Sequence, residues 1–463
     1  MNSPPSDLFN RLRSYGQEHV LAGWQELDEP TRRGLLGQIA RIDFEALRKL
    51  HARRDAKEQV PSADRIRPIP TEHVSSIPID AARLGEESLM RGEVAVLLVA
   101  GGQGSRLGFE KPKGMFPVGP VSGKSLFCIH AEKVRAMRRR YGRPVPFLIM
   151  TSPATHDDTE AYFHANHFFA LPPTEVFFFQ QGTMPALDIP TGKLLLERRG
   201  VIFTSPDGHG GTLAALQNAG LLDELTDRGV KHLFYFQVDN PLVQIAEPAF
   251  LGRHMAASSQ ASSKAIAKLN ADEKMGVLAL IDGRCGIIEY SDMPKALKEA
   301  TDSSGKLLHR AGNPAIHIFD VEFLRGIARD ADALPFHIAR KKVAHVDAEG
   351  KPVDPKEENA LKFERFIFDI LPQAERWLVV ESERQHEFAP VKNLRGEDSP
   401  ETAQRALSNL AAEWLEKVGV RVWRDAQGNA VPVELSPLFA LDIADLAGRF
   451  PAGRVIDRAT YFE

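Results

Sequence analysis

Leu98-Val99-Ala100-Gly101-Gly102-Gln103-Gly104-Ser105-Arg106-Leu107-Gly108-Phe109-Glu110-Lys111-Pro112-Lys113 is the stretch on which the reading of this chain turns. An aliphatic run over residues 94–100 ends directly in glycines, the pattern of a strand covered on both faces that opens into a turn. Glycines leave backbone N–H groups unblocked, so Gly101, Gly102 and Gly104 can close around an anion, with Arg106 and Lys113 adding positive charge. The expectation is a phosphate site. Its plain alternative is a tight turn with no ligand, and the neighbouring residues decide between them. A dinucleotide fold needs the last glycine to open a helix and an acidic residue ~20 positions later. Here Pro112, Gly114 and Pro117 forbid the helix, and residues 117–131 contain no acidic side chain. A P-loop is disfavoured by spacing and is a near miss, since Gly119-Pro120-Val121-Ser122-Gly123-Lys124-Ser125 has one residue too few between its glycines. No Gly-x-Ser-x-Gly elbow is present, which removes an α/β-hydrolase.

Further along, apolar runs at 146–150, 176–179 and 232–238 alternate with helical stretches at 126–138 and 212–225. That alternation predicts an α/β domain with a mixed, mostly parallel central sheet. Asp282-Gly283 separates two strand-like runs, 277–281 and 285–290, and both residues suit the positive φ of a hairpin turn, so an antiparallel insertion is expected. Residues 6–58 keep helical spacing of apolar side chains, among them Leu8, Leu12, Leu35, Ile39, Leu47 and Leu50. Residues 61–78, with Pro61, Pro68, Pro70 and Pro78, are expected to wrap over the surface as an ordered connector. A helix at 402–418 leads into strand-like pieces at 420–423 and 431–435. Residues 258–263 show only a mild bias in composition. Three parts follow: a helical N-terminal region and connector at 1–90, a catalytic sheet domain at 91–400, and a small α+β domain at 401–463.

The length, 463 residues, allows a large core, and a net charge of -4 from 58 basic and 62 acidic residues leaves no footprint for nucleic acid or an anionic membrane. Phosphate must therefore be bound locally. The two cysteines, Cys128 and Cys285, form neither a disulfide framework nor a metal-ligand spacing, which fits a reducing cytoplasm. Residues 1–10 lack signal architecture, and the longest apolar run is far below the ~20 residues that span a bilayer. No membrane, nucleic-acid or obligate protein partner is expected.

Several further motifs occur in a fixed order: Phe179-Gln180-Gln181-Gly182, Pro206-Asp207-Gly208-His209-Gly210-Gly211, Val238-Asp239-Asn240-Pro241-Leu242, Lys274-Met275-Gly276-Val277, Ile288-Glu289-Tyr290-Ser291, Phe363-Glu364-x-Phe366-x-Phe368-Asp369 and Phe388-Ala389-Pro390-Val391-Lys392-Asn393. Together with the glycine-rich loop they resemble the eukaryotic-type UDP-N-acetylglucosamine pyrophosphorylases, over roughly residues 90–440. The resemblance implies a Rossmann-like, GT-A-like nucleotidyltransferase sheet and a magnesium-dependent reaction of UTP with a sugar 1-phosphate, giving a UDP-sugar and pyrophosphate. Such a transfer brings two polyanions together and neutralises charge on the leaving pyrophosphate. The attacking phosphate oxygen is already anionic, so no protein base is required.

The resemblance assigns Arg106 and Lys113 to the triphosphate and the transferring group, and Lys392 to the sugar phosphate. It places uracil contacts at Gln181, whose amide offers a donor and an acceptor, and at Gly208, with His209 beside them. Gly208, Gly210 and Gly211 are expected to let backbone approach a ligand. Gly276, Glu289 and Asn313 are assigned to the sugar. Asp239 ends the run 232–238, where an α/β sheet presents its ligands, and its hard carboxylate suits Mg²⁺. The alternatives are a turn cap for Asp239, a surface lysine for Lys392 and simple core for Phe363, Phe366 and Phe368. With no second carboxylate of equal promise, a single metal held mainly by substrate phosphates is expected. His209 stands where the N-acetylglucosamine group has asparagine and the UDP-glucose enzymes have histidine. Ile316 stands where a sugar-contacting asparagine is usual, so the expected sugar is N-acetylglucosamine or glucose, or the preference is broad. The rival classes are a non-catalytic UDP-sugar-binding regulator and an NAD(P)-dependent oxidoreductase.

Overall fold

The computed structural model describes residues 3–56, 61–330, 333–347, 349–451 and 453–463. Contacts group the chain into two compact units: Met1–Val60, Gln181–Thr212 and Asp332–Ile367 form one, and Pro61–Gln180, Leu213–Ala331 and Phe368–Glu463 the other. These boundaries cut across the expected divisions at 90 and 400. The reason is burial. The N-terminal helices Ser6–Ser14, Glu29–Ala40 and Phe44–Ala52 present Leu12, Leu35, Ile39, Leu47 and Leu50 to a core. The other half of that core comes from distant sequence: Leu187, Leu194, Leu196, Ile202, Leu361 and Phe363. Asp28 and Asp43 cap the second and third helices by accepting from Thr31 N–H and Ala46 N–H. The expected helical region ends, at 57 and 58, outside the described residues.

The second unit is built on the aliphatic run at 94–99. Val94–Val99 lies between two parallel neighbours, His232–Gln237 and Phe147–Thr151, and Val176–Gln180 extends the parallel run beyond Phe147–Thr151. Register pairs Gln237 with Val99, so the chain leaves both strands side by side at their carboxyl ends. The helix Leu126–Tyr141 begins with Ser125 accepting from Cys128 N–H and stops at Gly142 in the left-handed region.

Beyond this run the antiparallel part is larger than the single hairpin expected. His317–Asp320 pairs antiparallel with His232–Gln237, and Ala261–Ala267 pairs antiparallel with His317–Asp320. Ala261–Ala267 hides from sequence inspection because it contains Ser262, Ser263 and Lys264, all buried. Each has a partner: Ser262 pairs with His254, Ser263 with His317, and Lys264 with Glu247 and Glu387. The Asp282-Gly283 hairpin forms as expected, with φ of 51° and 79°. The proline-rich connector joins the sheet instead of only wrapping it, since Ile66–Pro68 pairs with Val277–Ile281 and Glu72–His73 with Trp377–Ser382. The helix expected over 212–225 is two, Gly211–Asn218 and Leu221–Asp227, because Gly220 between them has φ 68°.

The P-loop near miss is an anion cradle filled from within. Val121 N–H, Ser122 N–H and the Ser122 hydroxyl all donate to the Glu434 carboxylate, at 2.9, 2.8 and 2.7 Å. Glu434 lies on Val433–Leu435, in the C-terminal segment. That segment also holds the helix Pro400–Lys417, which opens with a Ser399/Thr402 capping box. Among the described residues no helix is long and apolar enough to cross a membrane.

The helices Ile79–Arg91 and Pro248–Ala256 touch through glycine: a Cβ at Gly85 would lie 2.1 Å from Pro248 O, and one at Gly252 1.6 Å from Ala81 O. Gly326, inside Val321–Ala328, has open space around it. The two positions therefore separate packing from helix propensity. Gly252→Ala is expected to lower stability by ~2 kcal/mol or more through overpacking against backbone. Gly326→Ala is expected to raise it by up to ~1 kcal/mol. Urea denaturation of both variants checks the contrast in sign.

Candidate active site

Two backbone hydrogen bonds, Gly104 N–H to Lys111 O at 2.9 Å and Lys113 N–H to Gly102 O at 3.0 Å, close the glycine-rich loop on itself. Ser152 Oγ–H donates to Gly101 O at 2.8 Å and ties the loop to the neighbouring strand end. Among the described residues no acceptor is provided for the N–H groups of Gly102, Gln103, Ser105 and Arg106, all on exposed residues. Gly104 is required here, because a Cβ would lie 2.7 Å from Phe109 O. No helix follows within the loop, only the short 3₁₀ turns Ser105–Leu107 and Lys113–Met115. Arg106 is exposed and makes no ion pair among the described residues.

Lys113 and Asp239 meet across this loop. Lys113 Nζ–H donates to Asp239 Oδ2 at 3.3 Å, with side chains 20% and 12% exposed. The approach follows from topology: Val94–Val99 leads to Lys113 and His232–Gln237 leads to Asp239, and the two strands are parallel neighbours. A Cβ on Gly114 would lie 2.2 Å from the Phe127 ring, so glycine there lets the aromatic core reach the backbone next to Lys113. Lys392 is tied to the same place through the backbone, since Val391 N–H donates to Asp239 O at 2.8 Å. Its ammonium lies 3.2 Å from Asp398 Oδ2 and over the Phe388 ring. Among the described residues no group of three or more His, Cys, Asp or Glu side chains is placed to hold a metal ion. Asp239 could offer a divalent cation one hard carboxylate oxygen, with the remaining ligands drawn from phosphate oxygens and water.

Gly276, Glu289 and Asn313 also come together. Asn313 N–H donates to Gly276 O at 2.9 Å, and a Cβ on Gly276 would lie 3.1 Å from Glu289 Oε1. Ile316, whose apolar side chain set the sugar in question, is 1% exposed and packs in the main core. Asn313, three residues earlier, meets Gly276 through its backbone N–H, and its side-chain Oδ1 accepts from Ala315 N–H.

Gln181, Gly208 and His209 belong to the first unit. Asp207 N–H donates to Gly182 O, which holds the 207–211 turn beside Gln181-Gly182. The glycines of this turn have a packing reason that the sequence did not show. A Cβ at Gly208 would lie 2.4 Å from Arg365 O, at Gly210 2.5 Å from Arg365 C, and at Gly211 2.2 Å from Asp207 Oδ1. The space that glycine opens at these positions is thus filled by 364–366 and by Asp207. His209 Nδ1 accepts from Ile367 N–H at 3.2 Å, and burial with His337 nearby pushes its pKa down to about 4. Phe363 is fully buried core, Phe368 is buried, and Phe366 packs near His209 and His337.

Sequence inspection missed the residues that hold Asp239 from behind. His130 Nε2–H donates to Val238 O at 3.0 Å, and the Lys133 ammonium donates to Pro241 O and Val243 O at 2.6 and 2.8 Å. Burial pushes Lys133 down to about 7 and His130 down to about 3. The signal available in the sequence was their spacing of three on the helix Leu126–Tyr141, which puts both on one face.

A family model described as UTP–glucose-1-phosphate uridylyltransferase matches residues 42–429. UDP-N-acetylhexosamine pyrophosphorylase-like protein 1 of Homo sapiens is 37% identical over 449 residues, covering 92% of this chain and 88% of its own. The UDP-N-acetylglucosamine pyrophosphorylase of Saccharomyces cerevisiae is 36% identical over 434 residues, covering 88% and 90%. The crystal structure of the uridine diphosphate N-acetylglucosamine pyrophosphorylase from Trypanosoma brucei in complex with inhibitor aligns with a TM-score of 0.81, at 27% identity, over 98% of this chain and 99% of that one.

Asp207 carries a pH signature. Its Oδ1 is buried without a hydrogen-bond partner, and burial, opposed by Arg365, pushes the carboxyl up to about 6. Between about pH 4 and pH 6 the folded chain keeps a proton that the unfolded chain has lost, so stability falls as pH rises through that window. In Asp207→Asn this loss is absent. The stability of the variant relative to the parent is expected to climb by ~3 kcal/mol from pH 4 to pH 6 and to stay level above it, as read by urea denaturation across pH. A difference that is flat with pH contradicts the buried carboxyl.

Proposed function

The chain belongs to the UTP–glucose-1-phosphate uridylyltransferase family, and from that premise we propose that it is a UTP:sugar-1-phosphate uridylyltransferase whose preferred sugar is N-acetylglucosamine 1-phosphate. The observation that carries the reading is the Lys113–Asp239 pair at 3.3 Å beside a loop of unsatisfied N–H groups. Support for the sugar comes from the name of the Saccharomyces cerevisiae relative at 36% identity, with that of the Homo sapiens relative at 37% pointing to an N-acetylhexosamine. Glucose 1-phosphate is the second reading, favoured by His209 in the Asp-Gly-His-Gly turn.

In this reading the loop amides, Arg106 and Lys113 bind the triphosphate, and Lys392 holds the sugar phosphate. A phosphate oxygen of the sugar attacks the α-phosphorus in line, and the bond to the β-phosphate bridging oxygen breaks, releasing pyrophosphate. Lys113 and Asp239 pair with each other in the free protein; with substrates bound, the ammonium would turn to a phosphate oxygen and the carboxylate to a cation. Magnesium at Asp239 would supply further charge neutralisation on the phosphates. Gln181 and Gly208 are proposed as uridine contacts on the family resemblance. The sheet is taken as a GT-A-like, Rossmann-like nucleotidyltransferase sheet, a reading supported by the glycine loop and Asp239 at adjacent carboxyl strand ends. A reducing, cytoplasmic setting fits Cys128 and Cys285, both unpaired and both pushed up to about 12 by burial.

Pyrophosphate release from UTP with glucose, galactose, N-acetylglucosamine and N-acetylgalactosamine 1-phosphates tests the activity and ranks the sugars. Lys113→Ala and Asp239→Ala are each expected to lower turnover by at least ~100-fold, the scale of one key electrostatic group. Turnover near the parent value in either variant removes that assignment, and silence with every sugar removes the reaction.

A further inference from the structure

Asp239 and Lys392 lie on two segments, 238–244 and 387–392, that are laced together by bonds outside the substrate-binding set. Asn240 sits at the centre, 3% exposed. Its Nδ2–H donates to Glu387 O at 2.7 Å, and its Oδ1 accepts from Ala389 N–H at 3.1 Å. Giving to residue i and taking from residue i+2 is how a neighbouring strand would bond, so the carboxamide stands in for a strand edge. One residue before it, Asp239 O accepts from Val391 N–H at 2.8 Å, which extends the same ladder to the residue next to Lys392.

Glu387 anchors the second segment to the first. Its Oε1 accepts from Gln244 N–H at 3.0 Å, and its Oε2 accepts from the buried Lys264 ammonium at 2.8 Å. Lys264 also donates to Glu247 at 2.7 Å. A buried ion pair of this kind adds little net stability, because desolvation offsets the attraction. What it adds is a fixed geometry, with both Glu387 oxygens and its own backbone carbonyl engaged at once.

We propose that Asn240, braced by Glu387 and Lys264, is a positioning residue that sets Lys392 in register with Asp239, so that the groups binding the two substrates are held at one spacing. The inference rests on the uridylyltransferase reading and on Lys392 as the sugar-phosphate ligand. Asn240 touches neither substrate in this account and acts through the 387–392 segment. Its loss is felt in turnover, where the two phosphates must be aligned, and not in the binding of UTP alone.

A double-mutant cycle tests this with the full chain: parent, Asn240→Ala, Lys392→Ala and both together. Asn240→Ala is expected to lower kcat by on the order of tenfold while the Kd for UTP, by calorimetry, stays within about threefold. In the Lys392→Ala background the same change is expected to cost less than about threefold, since there is no ammonium left to align. Full multiplicative loss in the double variant, or weakened UTP binding in step with kcat, makes Asn240 merely structural and overturns the proposal. If Asn240→Ala does not fold, Asn240→Ser, which leaves a smaller void, runs the same cycle. Parent-like turnover by Lys392→Ala overturns the role of Lys392 and the proposal with it, while an inactive parent removes the uridylyltransferase reading itself.

Discussion

Two phosphate esters repel each other, and a chain with a net charge of -4 offers no general field to overcome that. The positive potential has to be assembled locally, and the strand pairing between Val94–Val99 and His232–Gln237 is what assembles it. Because these strands are parallel neighbours with Gln237 opposite Val99, the glycine-rich loop and the Asp239 segment leave the sheet at the same end. Lys113 and Asp239 then meet at 3.3 Å, with His130, Lys133 and Val391 N–H holding the backbone around Asp239. A slip of one residue in that pairing would turn every side chain of the strand to the opposite face and part the two groups.

The same backbone chemistry is used twice between residues 102 and 122, with opposite outcomes. Among the described residues the amides of Gly102, Gln103, Ser105 and Arg106 are left without acceptors and lie on exposed residues, whereas at 121–122 they are taken by Glu434. One loop is therefore open to a substrate anion, and the other docks the C-terminal segment. Spacing of glycines distinguished a P-loop from this turn, but only the structure shows which carboxylate occupies it.

Legibility in the sequence followed the physical signal available. Continuous aliphatic runs announced Val94–Val99 and His232–Gln237, and Asp282-Gly283 announced its hairpin, because each is dictated by local burial or by φ. Ala261–Ala267 was invisible: its buried serines and lysine are tolerable only with His254, His317, Glu247 and Glu387 in place, and those partners are distant in sequence. The composition of the first unit from three separated segments was hidden for the same reason. Within the site, Lys113, Asp239, Gly276, Glu289 and Asn313 were read and are brought together in their two groups. The glycines at 208, 210 and 211 were read as room for a ligand, yet the backbone of residues 365–366 and the Asp207 carboxylate already need that room. Asn240 and Glu387 were passed over because an asparagine mimicking a strand leaves no mark in periodicity.

The most direct measurement of the central claim is a crystal structure of the chain with UTP and Mg²⁺. The account predicts phosphate oxygens within hydrogen-bond distance of the amides at 102–106, with the Lys113 ammonium on the triphosphate and the cation on Asp239. A triphosphate seated away from this loop, with the Lys113–Asp239 pair untouched, contradicts it.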